Sequence, residues 1–334
     1  MNPGLSLLRF ALALTVVLFH LWPAVAPGAG RIAVVGFFFI SGFLITAIAR
    51  GPYHGRRWAF LKNRFLRIWP TYLTAIAIGF MVVRMLADTA KQLNPALIYP
   101  TTFIDWLVQL TIFGLYDHPV RLSPPTWSLN TELYFYLAIG LFTAYSAKIT
   151  RITLWITCMV AISISLGIIN ARFYGSPIGN AFVFFAGSWL YFRMQEPAHI
   201  LRSTAFAAAA VFFTQAFWVP LWVGHSDLNV AFSLLPLAIL VAFCHQYPTF
   251  PGVLQASANL LGRLAYPLFL LHWAGAAVVT KLLALPVPDM DKGSPELFFT
   301  TLPLALLSSY LVHRVIERPL EAVRARTRQT SAQT

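Results

Sequence analysis

Long apolar stretches, separated by short polar ones, recur along the whole chain. Runs of roughly 17 to 25 apolar residues are long enough to cross the hydrocarbon layer as helices. Backbone N–H and C=O groups in lipid must form their hydrogen bonds within the segment, as they do in a helix. The short alternating segments of a membrane barrel are absent from the sequence. The pattern predicts an all-α integral membrane bundle of about ten transmembrane helices. The predicted spans are 5–23, 32–49, 68–87, 127–146, 152–170, 180–194, 203–219, 230–247, 262–284 and 296–316.

One apolar segment, FIDWLVQLTIFGL at 103–115, is too short to be a comfortable span. Prolines punctuate the surrounding stretch, which indicates a long ordered loop. We therefore expect a re-entrant or surface helix near 103–115, on the outer side of the membrane.

Composition and charge agree with a membrane protein. The 334 residues are 58% hydrophobic and 10% charged, whereas a soluble domain carries about 25% charged residues. The formal net charge of +13 is concentrated in short stretches such as 50–67 and the C-terminal region. That distribution follows the positive-inside rule rather than a nucleic-acid footprint, so the expected partner is the lipid bilayer and not nucleic acid.

The same charge distribution predicts the topology. If both termini are cytoplasmic, every strongly basic loop falls on one side of the membrane. We expect a transmembrane domain at 1–318, a short basic cytoplasmic tail at 319–334, and a multi-pass position in a bacterial inner membrane.

Two ionisable residues, Arg9 and His20, lie inside the first predicted span. Such residues cost roughly 2.5 to 3.5 kcal/mol at a helix centre, so they are candidates for function. At 100° per residue their separation leaves both side chains on one helix face, about 16 Å apart along the axis. His20 is the candidate general base, and Arg9 the candidate for holding the donor or stabilising negative charge. The alternative is that each side chain reaches a membrane interface.

Further candidates lie in later segments. Arg64 and Arg67 share a helix face and could hold phosphate groups bidentately, although ordinary positive-inside arginines have the same spacing. Glu132, just inside the fourth span, could orient an imidazole or bind a sugar hydroxyl, or could simply be favoured by the helix dipole. Ser41 and its neighbouring glycine could serve close helix packing instead of a site. His272 lies in the middle of a span and could form a second polar wall of a cavity.

Several chemistries lack support in the sequence. It contains no GxxxxGKS loop, GxGxxG fingerprint, HExxH motif or GxSxG elbow. The scattered histidines do not form a recognisable metal set. We therefore expect no metal cofactor, no nucleotide hydrolysis and no hydride transfer.

Together these segments resemble the acyltransferase-3 family of bacterial membrane proteins, which move acyl groups onto cell-envelope and exopolysaccharide sugars. The resemblance covers nearly the whole chain. The family's Arg-x10-His pattern falls on Arg9 and His20, and its FFxxSG pattern on Phe37 to Gly42. Its RxxR pattern falls on Arg64 and Arg67. Its WSLxxE pattern falls on Trp127 to Glu132, and its Leu-His pattern on Leu271 and His272. Two departures are Leu133, where a second acidic residue often stands, and Ala265 to Pro267, in place of Ser-Tyr-Gly.

The resemblance implies a donor and an acceptor. We expect acyl-CoA, taken as acetyl-CoA, to enter from the cytoplasm and bind near Arg64, Arg67 and Ser41. Trp127 and His272 would bind the acceptor, a sugar hydroxyl of an envelope or exopolysaccharide glycan or of its lipid-linked precursor.

Two other functions remain open from the residues alone. Polar residues at membrane depth also line transport routes, so an exporter of a glycan or small molecule is the first alternative. A non-catalytic subunit that relays the acyl group to a partner enzyme is the second.

Overall fold

The structure is a computed structural model that describes residues 2–25, 27–195, 200–223, 228–286 and 293–329. These residues form helices joined by turns, and no strand occurs among them. The helices are α1 (Pro3–Leu21), α2 (Ala29–Arg50), α3 (Arg57–Met85), α4 (Ala87–Leu93), α5 (Phe103–Thr111), α6 (Thr126–Leu141), α7 (Ala147–Ser165), α8 (Pro177–Arg193), α9 (Arg202–Val223), α10 (Leu228–Gln246), α11 (Gly252–Leu282), α12 (Pro295–Val312) and α13 (Arg318–Gln329).

The all-helical membrane architecture is confirmed, whereas the number of spans is established only in part. Each of the ten predicted spans overlaps one of the helices. Among the described residues, six helices are long and apolar enough to cross a membrane: α1, α2, α3, α7, α11, and α12 with its continuation. Helix α6 has 16 residues and α8 has 17. At 1.5 Å per residue these two are about 24 to 26 Å long, less than the roughly 30 Å of a typical hydrocarbon core.

Helices α2 and α11 lie at the centre of the bundle and are its most buried spans. Helix α2 packs against α8, and α11 packs against α1 and α12. Two glycines allow α2 and α8 to approach closely. A Cβ atom on Gly42 would collide with the carbonyl oxygen of Phe184, and one on Gly187 would collide with that of Phe39. The predicted packing role of the small residues in this part of α2 is thus correct for Gly42.

The predicted short helix is present as α5, which runs beside the middle of α3. The indole N–H of Trp69 donates to the carbonyl of Leu110 at 3.2 Å, and the Tyr72 hydroxyl donates to that of Gln109 at 2.5 Å. Trp69 and Tyr72 lie more than three helical turns inside α3. The C-terminal end of α5 therefore reaches into the bundle, which favours the re-entrant form of the prediction over a surface helix.

The chain returns from α5 through irregular backbone that a buried side chain stabilises. Ile112 ends the helix in the left-handed region at φ 72°. The Gln109 side chain donates to the carbonyl of Val120 at 2.7 Å and accepts from the N–H of Leu122 at 3.1 Å. Non-helical backbone at membrane depth is tolerated where protein satisfies its polar groups, and Gln109 does so here.

We call the end of the bundle that holds residues 51–56 and the start of α3 the basic end. Here a π-helical turn at His313–Glu317 joins α12 to α13. Helix α13 packs along α3, where the Asn63 amide donates to the carbonyl of Arg324 at 3.5 Å. Arg263 on α11 pairs with Glu321 at 3.3 Å. The region predicted as a basic tail thus begins as a helix docked on the bundle.

Candidate active site

Two cavities lie one behind the other inside the bundle. The larger, the His20 cavity, has a volume of about 450 Å³. The smaller, the Arg9 cavity, has about 40 Å³. Val34 and Phe269 line both, so these two side chains form the partition between them. The residues that characterise the His20 cavity are His20, Tyr116, His118, Arg121, Trp127 and Arg172. Those that characterise the Arg9 cavity are Arg9, Phe37, Phe38, Ser128, Glu132 and Tyr266.

His20, near the C-terminal end of α1, is held by a second histidine on α11. Its Nδ1 lies 2.8 Å from Nε2 of His272. The two rings are almost parallel, at 12°, and Trp273 packs against both of them. His272 is completely buried, and its Nδ1 lies 2.9 Å from the carbonyl oxygen of Phe269.

These contacts assign the protons on both imidazole rings. A carbonyl oxygen only accepts hydrogen bonds, so Nδ1 of His272 must carry a proton. Nε2 of a neutral His272 is then an acceptor, and Nδ1 of His20 must donate to it. The remaining nitrogen of His20, Nε2, keeps its lone pair. The arrangement prepares His20 to accept a proton from a group in the His20 cavity, as a general base must.

The Arg9 cavity holds a carboxylate fixed by two hydroxyl groups. Both Ser41 on α2 and Tyr136 on α6 donate to Oε1 of Glu132 through short hydrogen bonds. Arg9 lines the same cavity, and its guanidinium makes no hydrogen bond or ion pair within the described part of the chain. Its N–H groups remain available to a ligand.

The predicted site residues fall into distinct groups in space. Arg9 and Glu132 line one cavity, and His20 and Trp127 line the other. Because Arg9 and His20 were predicted to share one face of α1, both were expected to point toward the same side of that helix, where the two cavities lie. Glu132, which could have oriented the imidazole of His20, is hydrogen-bonded to Ser41 and Tyr136 instead. The side chain that orients His20 is His272. His272 stands behind His20 and does not line the His20 cavity.

Arg64 and Arg67 lie on α3 at the basic end, and Arg67 faces the C-terminal segment. Arg67 pairs with Glu317 at 3.2 Å, and its guanidinium lies over the Tyr266 ring, 5.9 Å from the centroid. Arg64 donates to the Asn63 side chain at 2.9 Å, while its buried Nε has no partner. Arg64 thus retains free donor capacity for a phosphate group, whereas Arg67 already has a counter-ion.

Sequence reasoning missed the group that neutralises Arg67. Glu317 accepts from Arg67 and Thr71 through Oε1, each at 3.2 Å, and from His313 through Oε2 at 3.0 Å. His313 and Glu317 both lie on the π-helical turn, a distortion that often marks functional positions. An isolated acid within a basic segment, four residues after a histidine, was the available signal. Tyr136, four residues after Glu132 on the same helix face, was a similar one.

A metal centre finds no support in the described ranges, because no group of three or more His, Cys, Asp or Glu side chains there could hold an ion. The arrangement can instead remove a proton at His20 and bind an anionic group at Arg9. Acyl transfer from an anionic donor to a hydroxyl needs both operations.

Comparison with known proteins identifies the chain by its family alone. No curated protein and no solved structure matches it. A family model described as an acyltransferase domain matches residues 2–314, which contain both cavities and every predicted site residue. The chain is therefore a multi-pass membrane protein that belongs to the acyltransferase-3 family.

Proposed function

We propose that this protein is an O-acyltransferase that moves an acyl group, acetyl in the simplest case, from acyl-CoA to a sugar hydroxyl. The acceptor is a cell-envelope or exopolysaccharide glycan or its lipid-linked precursor. The observation that carries the proposal is the pair of aligned cavities, one with an oriented histidine base and the other with an unpartnered arginine. A bacterial inner membrane, with the basic end toward the cytoplasm, is the location that fits a cytoplasmic donor.

The donor in this proposal approaches from the basic end. Arg64 is the stronger candidate for a phosphate of CoA, because its Nε lacks a partner. Tyr266 connects this end to the Arg9 cavity, since its ring contacts Arg67 and also lines that cavity. The pantetheine arm would pass Arg9, with the thioester directed past Val34 and Phe269 toward His20.

In the chemical step, His20 accepts the proton of the acceptor hydroxyl and later gives it to the leaving thiolate. Nε2 of His20 takes the proton from the acceptor hydroxyl, and the oxygen attacks the thioester carbonyl carbon. Arg9 lies about 16 Å from His20 along α1, so it holds the donor rather than the reacting carbonyl. The carbon–sulfur bond then breaks, and the leaving thiolate takes the proton from the His20 imidazolium. The products are the sugar ester and free CoA.

This step requires the two cavities to communicate. Their partition consists of two side chains, so rotation of Phe269 or a small shift of Val34 would join them. Side-chain rotation of this kind is faster than typical turnover.

The proposal is tested by following acetyl-CoA consumption and acceptor labelling separately, with purified protein and an envelope glycan preparation. Replacing His20 by glutamine keeps hydrogen-bonding capacity but removes the ability to accept a proton. We expect His20→Gln to lower transfer by about 10²-fold to 10⁴-fold. His245→Gln is the matched control, because that histidine lies near the end of α10 and lines neither cavity.

Three results would contradict the proposal in different ways. Near wild-type transfer by His20→Gln would remove the base role. Consumption of acetyl-CoA without a labelled glycan would favour an acyl-relay subunit. Movement of a glycan across vesicles without ester formation would favour an exporter.

A further inference from the structure

The wall of the His20 cavity is unusually rich in charged groups for a site within a membrane bundle. Arg121 and Asp117 come from the segment that returns from α5, and Arg172 comes from the segment before α8. Trp127 and Tyr174 add aromatic surface and contact each other edge to face at 5.3 Å. The volume of about 450 Å³ lies within the usual range for small-ligand sites.

The acidic groups around this cavity already have partners. Asp117 pairs with Arg172, and both side chains are largely exposed. Asp105 accepts from the N–H groups of Thr101 and Thr102 and lies 3.3 Å from Nε2 of His118. The backbone hydrogen bonds at Thr102 and Thr101 hold the pKa of Asp105 below its usual value, so it remains a carboxylate. Neither acid makes a hydrogen bond or ion pair with Arg121.

Arg121 is the arginine of this wall that makes no contact ion pair. Its guanidinium has no hydrogen bond or ion pair with any described residue, and its Nε is buried. Burial lowers the pKa of this guanidinium, and the charge of Asp117 raises it to a smaller extent. Arginine nevertheless stays protonated in proteins.

The backbone around Arg121 is held firmly, so this position is part of the fold. Its own N–H donates to the carbonyl of Ala96 at 2.7 Å. The next residue, Leu122, donates to the Gln109 side chain, and the Ser123 hydroxyl donates to the carbonyl of Leu270 at 2.8 Å. Leu270 lies two residues before His272 on α11. The loop that carries Arg121 is thereby tied to the helix that orients the base.

We propose that the acceptor glycan is acidic, and that Arg121 binds its carboxylate or phosphate group next to the hydroxyl presented to His20. This inference rests on the proposed acyl transfer and names the class of acceptor. The planar guanidinium suits bidentate binding of either anion, and Arg172, already paired and exposed, assists from the rim.

The test measures binding of three small sugars to the purified full-length protein by calorimetry. Methyl glucoside is the neutral probe, methyl glucuronide carries a carboxylate, and methyl glucoside 6-phosphate carries a phosphate. Wild-type protein should bind at least one acidic sugar about 10-fold to 100-fold more tightly than the neutral one, as expected for hydrogen bonds to a charged group. The preferred acid distinguishes a uronic-acid glycan from a phosphorylated one.

Arg121→Gln should abolish the preference for the acid, and Arg121→Lys should restore it only in part, because the charge returns without the fork. Arg84→Gln is the matched control, since Arg84 is an exposed arginine on α3 that lines neither cavity. It should bind all three sugars as the wild type does.

Equal binding of neutral and acidic sugars, a preference that survives Arg121→Gln, or no saturable binding of either acid would overturn the inference. Failure of the proposed acyl transfer is a separate result. Acidic sugars that bind through Arg121 but never receive an acyl group would contradict acyl transfer alone. Acylation of neutral sugars as readily as acidic ones would contradict the acidic acceptor alone.

Discussion

The two cavities differ in size, lining and the parts of the chain that form them. The His20 cavity, about 450 Å³, is formed largely by irregular segments that carry charged and aromatic side chains. The Arg9 cavity, about 40 Å³, is enclosed by α1, α2, α6 and α11 and has phenylalanines around a single arginine and a single carboxylate. Loops tolerate variation, whereas packed helices do not. The difference suggests that the acceptor side is adaptable and that the acyl side is restricted to small groups.

If the Arg9 cavity is where the donor is held, its arginine should have the largest effect. Arg9→Gln should lower kcat/KM for acetyl-CoA by about 10²-fold to 10³-fold, within the cost of roughly 2 to 5 kcal/mol for truncating a buried charge partner. Arg9 makes no hydrogen bond or ion pair among the described residues, although Glu132 shares its cavity. Initial rates at varied acetyl-CoA concentration, together with the Kd for acetyl-CoA, measure this effect.

Arg84→Gln again serves as the control and should retain its rate. A wild-type Kd and wild-type kcat/KM for acetyl-CoA in Arg9→Gln would remove Arg9 from donor binding.

The His20 cavity depends on the histidine behind it, with a smaller expected effect. His272→Ala should lower kcat by about 10-fold to 100-fold while leaving the KM for acetyl-CoA unchanged, as is typical when a group that orients a functional histidine is lost. Nitrogen-15 NMR of His20 should show a proton on Nδ1 in the wild type and a mixture of tautomers in the variant.

His272→Gln is the rescue variant, because its side-chain oxygen can accept from Nδ1 of His20. A purely structural role for His272 would leave the tautomer of His20 unchanged in both variants.

The partition between the cavities should control acyl size, with the smallest effect of the three. Phe269→Ala should raise the ratio of kcat/KM for butyryl-CoA over acetyl-CoA by roughly 10-fold, since a few methylene groups in an apolar pocket are discriminated on that scale. Phe298→Ala is the matched control, because Phe298 is equally buried but lines neither cavity.

Both alanine variants should lose about 3 to 5 kcal/mol of stability, so a change in the ratio that occurs only in Phe269→Ala isolates the partition. An unchanged ratio would mean that Phe269 does not limit the acyl group.

Much of the fold follows from local sequence. Every predicted span overlaps a helix, because the length and hydrophobicity of a run are properties of that run alone. The short segment near 103–115 could be assigned as a non-spanning helix for the same reason. The re-entrant course of this segment could not be predicted, since it depends on contacts with Trp69 and Tyr72, which lie more than 30 residues earlier in the chain.

The candidate site likewise has features that follow from local sequence and features that depend on tertiary contacts. The common face of Arg9 and His20 is a consequence of helical periodicity within α1, and their positions inside apolar spans singled out Glu132 and His272. The hydrogen bonds that define their roles connect distant positions: His20 with His272, Ser41 with Glu132, and Arg67 with Glu317. Sequence by itself determined which residues stand on which helix face, because helix geometry is local. Only the tertiary structure decided which faces meet, because helix packing brings together distant residues such as His20 and His272, which are 252 positions apart.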